Sequence, residues 1–131
     1  MNKIEYYSDE FSWLDDDDRL TYLIDLAKKA TTLPQELRTE ERLVPGCMSK
    51  IWIDVGLQES TVQVYYDSDA MITKGITSVI CDCFSDMDVN EAKQLKKEDF
   101  ESLGIKELLT SQRRNGLANL ISIIIEKVNN L

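Results

Sequence analysis

Residues 51–84 read IWIDVGLQESTVQVYYDSDAMITKGITSVICDCF, and this stretch decides the fold. Ile51, Ile53 and Val55 alternate with Trp52 and Asp54, and Val62, Val64 and Tyr66 alternate with Gln63 and Tyr65. A period of two sends alternate side chains to opposite faces, so each run predicts a strand that buries one face. The intervening Gly56 to Ser60 are turn formers, and the pair predicts an antiparallel hairpin. Asp67-Ser68-Asp69 then supplies residues favoured as helix N-caps. Beyond it, Ile72, Ile76, Val79, Ile80 and Cys83 recur at helical spacing and predict an apolar-faced helix to about Phe84.

Helical signals flank the hairpin. Upstream, Leu20, Leu23, Ile24 and Ala27 fall at i, i+3, i+4 and i+7 behind the acidic run Asp15–Asp18, which suits the positive end of a helix. Four neighbouring aspartates do not converge on one ion, so the run reads as a cap and not as a metal site. Thr31 to Pro34 end that helix, and Gln35 to Gly46 form a charged loop. Downstream, Asn90 is placed to cap a short helix through Leu95. A second short helix over Asp99 to Leu103 stops at Gly104, and Leu117, Leu120, Ile121, Ile124 and Val128 mark a final helix. The expected architecture is α+β, a small antiparallel β-sheet packed against several α-helices, in one domain spanning residues 1–131.

The 131 residues carry 24 acids against 15 bases, a net charge of −9. Phosphate backbones and bare anionic membranes are recognised by clustered Lys and Arg, so neither nucleic acid nor membrane is an expected partner. The start, Met1 to Asp18, is polar and acidic and does not read as a signal peptide, and Leu120 to Ile125 is too short to span a bilayer. The expected location is cytoplasmic. Histidine is absent, which excludes His-based triads and His metal sites. No phosphate-binding glycine loop occurs, and no pair among the many carboxylates stands out.

Three cysteines remain, Cys47, Cys81 and Cys83. Cys81 and Cys83 lie two apart on one helix and point to different faces; Cys83 falls on the apolar face, and a metal site would need further ligands. Cys47 sits in Leu43-Val44-Pro45-Gly46-Cys47-Met48-Ser49-Lys50, at a loop-to-strand junction. Pro45 fixes one backbone angle and Gly46 permits unusual ones and a close approach to the sulfur. From these residues alone, Cys47 is either a functional thiol or a packed one.

Five segments in order resemble the SufE family of sulfur acceptors. They are Tyr22-Leu23-Ile24-Asp25-Leu26, Leu33-Pro34 with Glu36-Leu37-Arg38, Val44 to Trp52, Asp67-Ser68-Asp69-Ala70 with Lys74-Gly75, and Thr110-Ser111-Gln112-Arg113 with Gly116-Leu117. Met48 stands where the family usually has Gln, Ser111 where Pro is frequent, and Arg114 adds a second arginine. The resemblance implies that Cys47 accepts persulfide sulfur from a SufS-like, pyridoxal-phosphate-dependent cysteine desulfurase. It further implies stimulation of that enzyme and delivery of sulfur to an iron–sulfur scaffold. The chain would then be a persulfide sulfurtransferase accessory to the desulfurase, with no cofactor of its own and no metal. Gly46, Met48, Asp69 and Arg113 take loop-positioning or partner-docking places, and the family shields this loop until the partner arrives. Two rivals are a desulfurase-binding regulator that carries no sulfur and an iron–sulfur scaffold of the NifU or IscU type.

Overall fold

The β-hairpin forms where the alternation places it, with β1 at Ile51–Gln58 and β2 at Thr61–Ser68. In this computed structural model, residues 2–30, 33–46 and 49–131 are described. The strands pair antiparallel with Ile51 opposite Ser68, Ile53 opposite Tyr66 and Val55 opposite Val64. The connection is shorter than the Gly56–Ser60 turn expected from composition. Gly56 stays in register opposite Gln63, and only Glu59 and Ser60 lie between the last paired residues. Glu59 turns the chain at a φ of 58°.

Ile51, Ile53, Val62 and Val64 are buried on the inner face. There α3 (Met71–Phe84) packs on β2 and α5 (Ser111–Asn129) packs on β1. The expectation of one buried face per strand fails at the start of β1, because Trp52, on the other face, is also buried. Its cover is the strap 33–44. Leu43 bridges to Trp52, and the Arg38 guanidinium lies 5.1 Å from the centre of its ring, a cation–π arrangement. On the opposite edge, the Val62 N–H donates to Met87 O and the Asp86 N–H to Val62 O. Both edges of the two-stranded sheet are therefore covered at one end by local backbone.

Helix α2 (Asp16–Lys29) is capped by Asp15, which accepts the Asp18 N–H, and carries Asp16, Asp17 and Asp18 in its first turn. It crosses α3 at Gly75, where a Cβ would run into the Leu23 carbonyl oxygen. Only hydrogen fits at this contact.

Several element ends differ from expectation. The Met1–Asp18 stretch, read as polar and acidic, contains α1 (Lys3–Ser12), capped by Asn2 and burying Ile4, Tyr7 and Phe11. It is pinned to α3: the Tyr7 hydroxyl donates to Asp82 Oδ2, and Lys3 Nζ donates to Asp82 Oδ1 at 3.1 Å and to Ser85 O at 3.0 Å. Burial and then the Asp82 carboxylate raise the Tyr7 pKa, so the phenol remains a donor. The cap of α4 (Val89–Ala92) is Asp88, not Asn90; the aspartate accepts both the Asn90 and Glu91 N–H groups. Residues Lys97–Leu103 form a 3-10 helix that ends at Gly104, in the left-handed region at φ 67°. The last helix starts at Ser111, well before Leu117, with Thr110 as its cap.

Ala in place of Gly75 should separate α2 from α3. Overpacking against fixed backbone predicts a loss of about 3 kcal/mol, read as a lower denaturant midpoint in equilibrium unfolding.

Candidate functional site

The cysteine loop is closed at its base. The Val44 N–H donates to the Ile51 carbonyl at 2.8 Å, so residues 45–50 leave the sheet edge and return to it. Cys47 and Met48 themselves lie outside the described residues. The residues around them show how the loop is held. At its exit, Gly46 takes a φ of 76°, and Asn119 Nδ2, from the middle of α5, donates to Pro45 O at 3.1 Å. A Cβ on Gly46 would collide with that amide nitrogen. The space that glycine opens here is thus filled by the chain's own α5. At the return, Lys50 N donates to Asp69 Oδ1 at 3.0 Å while Asp69 N donates to Lys50 O at 3.2 Å.

That reciprocal pair corrects the reading of 67–69 as a helix cap. The N-cap of α3 is Ala70, which makes no side-chain capping bond. Both aspartates instead serve the loop: Asp69 holds its foot, and Asp67 organises the strap that leads into it. Asp67 is 1% exposed. Its Oδ2 accepts the Leu33 N–H at 2.7 Å and Arg38 Nη2 at 2.6 Å. Its Oδ1 accepts the Ser68 N–H at 2.8 Å and pairs with Lys74 Nζ at 3.1 Å. Burial alone would raise the carboxyl pKa; the Leu33 N–H, Lys74 and the Ser68 N–H outweigh it and set it below the ordinary carboxylate value. Arg38 also donates from Nε to the Leu33 carbonyl at 3.2 Å, closing a ring of contacts under the strap.

Arg113 stands on the first turn of α5 and, with Ser49, Thr73 and Gln112, lines a small cavity of about 30 Å³ beside the loop's return. Among the described residues, no ion pair joins it to Asp69. Arg114 is committed elsewhere: its Nε donates to Lys106 O at 2.7 Å, tying α5 to the segment before it. The structure therefore places Gly46, Asp69 and Arg113 around one loop and separates Arg114 from it. Sequence reasoning gave Arg38 and Asp67 no role at the loop and missed Asn119 altogether. Asp67 was visible as part of the Asp-Ser-Asp run and of a family-resembling segment, but a helix cap was its local explanation.

Cys81 and Cys83 are buried within α3. Burial first, then Cys83 and Asp82, push the Cys81 pKa well above its ordinary value. Burial and Asp82 push the Cys83 thiol up to about 12. Neither presents a thiolate near neutral pH. Among the described residues, no three His, Cys, Asp or Glu side chains gather as a metal site, and no helix is long and apolar enough to cross a membrane.

An α+β domain carrying a cysteine on an anchored loop invites comparison with known proteins. The SufE family profile, described as an Fe-S metabolism associated domain, matches residues 5–128, and the chain belongs to that family. It is 35% identical to a SufE-like protein of Rhizobium etli over 97% of this chain and 90% of that one. It is 28% identical to the cysteine desulfuration protein SufE of Wigglesworthia glossinidia brevipalpis, over 95% of this chain and 85% of that one. A solution structure of a hypothetical protein from Thermus thermophilus superposes with a TM-score of 0.82, covering 98% of this chain and 94% of its own at 17% identity. That likeness establishes the fold.

Replacing Asp67 with Asn should leave the buried Lys74 and the half-buried Arg38 without their counter-charge and cost about 3 kcal/mol at pH 7. Because the folded-state pKa is depressed, the stability that the carboxylate contributes is present above the unfolded-state value, about 4. It is lost as pH falls through the folded-state value. Urea melts of both proteins from pH 7 to pH 3 should show the gap narrowing below about pH 4.

Proposed function

We propose that this chain is a sulfur acceptor for a pyridoxal-phosphate-dependent cysteine desulfurase and that Cys47 carries the sulfur. The observation that carries this reading is the contrast among the three thiols. Cys81 and Cys83 are locked in α3 with raised pKa values. In sequence, Cys47 lies between Pro45, whose carbonyl accepts from Asn119, and Lys50, whose N–H donates to Asp69. The family's tie to Fe-S metabolism supplies the setting.

The transfer is thiol–disulfide exchange with sulfane sulfur as cargo. The desulfurase holds a persulfide on its own cysteine. The Cys47 thiolate attacks the outer sulfur, a new S–S bond forms on Cys47, the old S–S bond breaks, and the desulfurase thiolate leaves with the electron pair. One persulfide is consumed and one is made, so no external oxidant or reductant is required. The step needs thiolate character and access. Arg113, beside Ser49, and the exposed Lys50 are the cations near the loop's return, and Arg113 also has a place in docking the partner. Gly46 gives the loop its left-handed turn, and Met48 is the neighbour through which this chain departs from the family's usual Gln. Removal of sulfur from the desulfurase speeds its turnover, and the bound persulfide passes to an iron–sulfur scaffold. The setting is the cytoplasm. The buried state of Cys81 and Cys83 favours this reading over a scaffold that must gather several thiolates around a cluster.

A cysteine desulfurase assayed with and without the chain tests the proposal. Wild type should raise turnover, and Cys47→Ser should return it to the rate of the desulfurase alone. Stimulation retained by Cys47→Ser would refute sulfur transfer and identify a binding regulator.

A further inference from the structure

Asn119 lies mid-way along α5, far in sequence from the cysteine, and is half-buried. Its amide makes two contacts with the loop exit, a hydrogen bond to Pro45 O at 3.1 Å and close packing on the Cα face of Gly46. The two contacts depend on each other. Any side chain at 46 would push the amide away, and the left-handed Gly46 points the preceding carbonyl toward α5. A polar residue at this position has no part in the apolar stripe formed by Leu120, Ile121, Ile124 and Val128, which packs in the core. Among the described residues, its hydrogen-bond acceptor beyond α5 is the residue two places before Cys47.

We infer that Asn119 is a positioning residue for sulfur transfer: its amide fastens the exit of the Cys47 loop to α5 in the free protein. This rests on the reading of Cys47 as the acceptor, but the fastening itself can be measured without any transfer. A helix is a rigid mount, and a donor on it helps to hold the first foot of the loop as Asp69 holds the second. One neutral hydrogen bond in an exposed setting biases such an equilibrium by roughly two- to tenfold. A bias of that size is small enough for partner binding to override.

The test uses the full chain with Asn119→Asp, which keeps the shape and removes the donor, and Asn119→Ala, which removes both. Hydrogen–deuterium exchange of the peptide spanning 43–50 is read alongside alkylation of Cys47 by iodoacetamide. Thermal melting reports the fold. Both variants should show exchange and alkylation of this segment faster by roughly two- to tenfold, with the melting temperature and exchange elsewhere unchanged. Asn119→Asp should be at least as loose as Asn119→Ala, since a carboxylate faces the Pro45 carbonyl. Unchanged or slower exchange and alkylation would overturn the inference. So would a uniform rise across all peptides, which would mark a structural role only. If exchange rises as stated while wild type takes no sulfur from a desulfurase, the fastening stands and the acceptor reading fails.

Discussion

A buried carboxylate with four partners holds the working end of this protein together. Asp67 lies one residue before the end of β2 and faces a region from which water is excluded, where an unpaired charge would be intolerable. Its partners come from three separate parts of the chain: the Leu33 N–H and Arg38 from the strap, Ser68 from its own strand, and Lys74 from α3. Satisfying that one group fixes where the strap lies. The strap then covers Trp52, Leu43 and Val44 align along β1, and residues 45–50 leave the sheet at one defined point. The location of the cysteine loop is thus a consequence of an electrostatic demand made elsewhere in the chain.

The loop that results is short. Six residues that start and finish on one hydrogen-bonded pair reach no farther than about 10 Å from their base, at roughly 3.4 Å per extended residue. A thiol so mounted cannot swing across the molecule to collect its cargo. Under the proposed transfer, a partner brings the donor sulfur to it, by direct handover between docked proteins. The two feet divide the restraint. Asp69 belongs to the hairpin and to the residues entering α3, and Asn119 belongs to α5, so the loop is strung between two elements that pack on the same sheet.

The hairpin and its helices were legible in the sequence because the alternation of Ile51 to Tyr66 and the stripes on α3 and α5 are local signals of burial. Helix α1 was not read, since Ile4, Tyr7 and Phe11 are sparse among acids and the partner that orders them, Asp82, is far along the chain. Asp67 and Asp69 matched a local rule for helix caps, and long-range bonding overrode it. Cys47 and Gly46 could be singled out because a thiol after Pro-Gly is conspicuous. Asn119 could not: an amide within a helix has no pattern, and its meaning appears only when the fold brings it to Pro45.

The central claim is that sulfur ends on Cys47, and the intact mass of the protein tests it most directly. The chain is incubated with an active cysteine desulfurase and free cysteine, as wild type and as Cys47→Ser. The account predicts a gain of about 32 Da, one sulfur atom transferred by exchange, on wild type only and removed by a reductant. No gain on wild type, or a gain that survives Cys47→Ser, would contradict it.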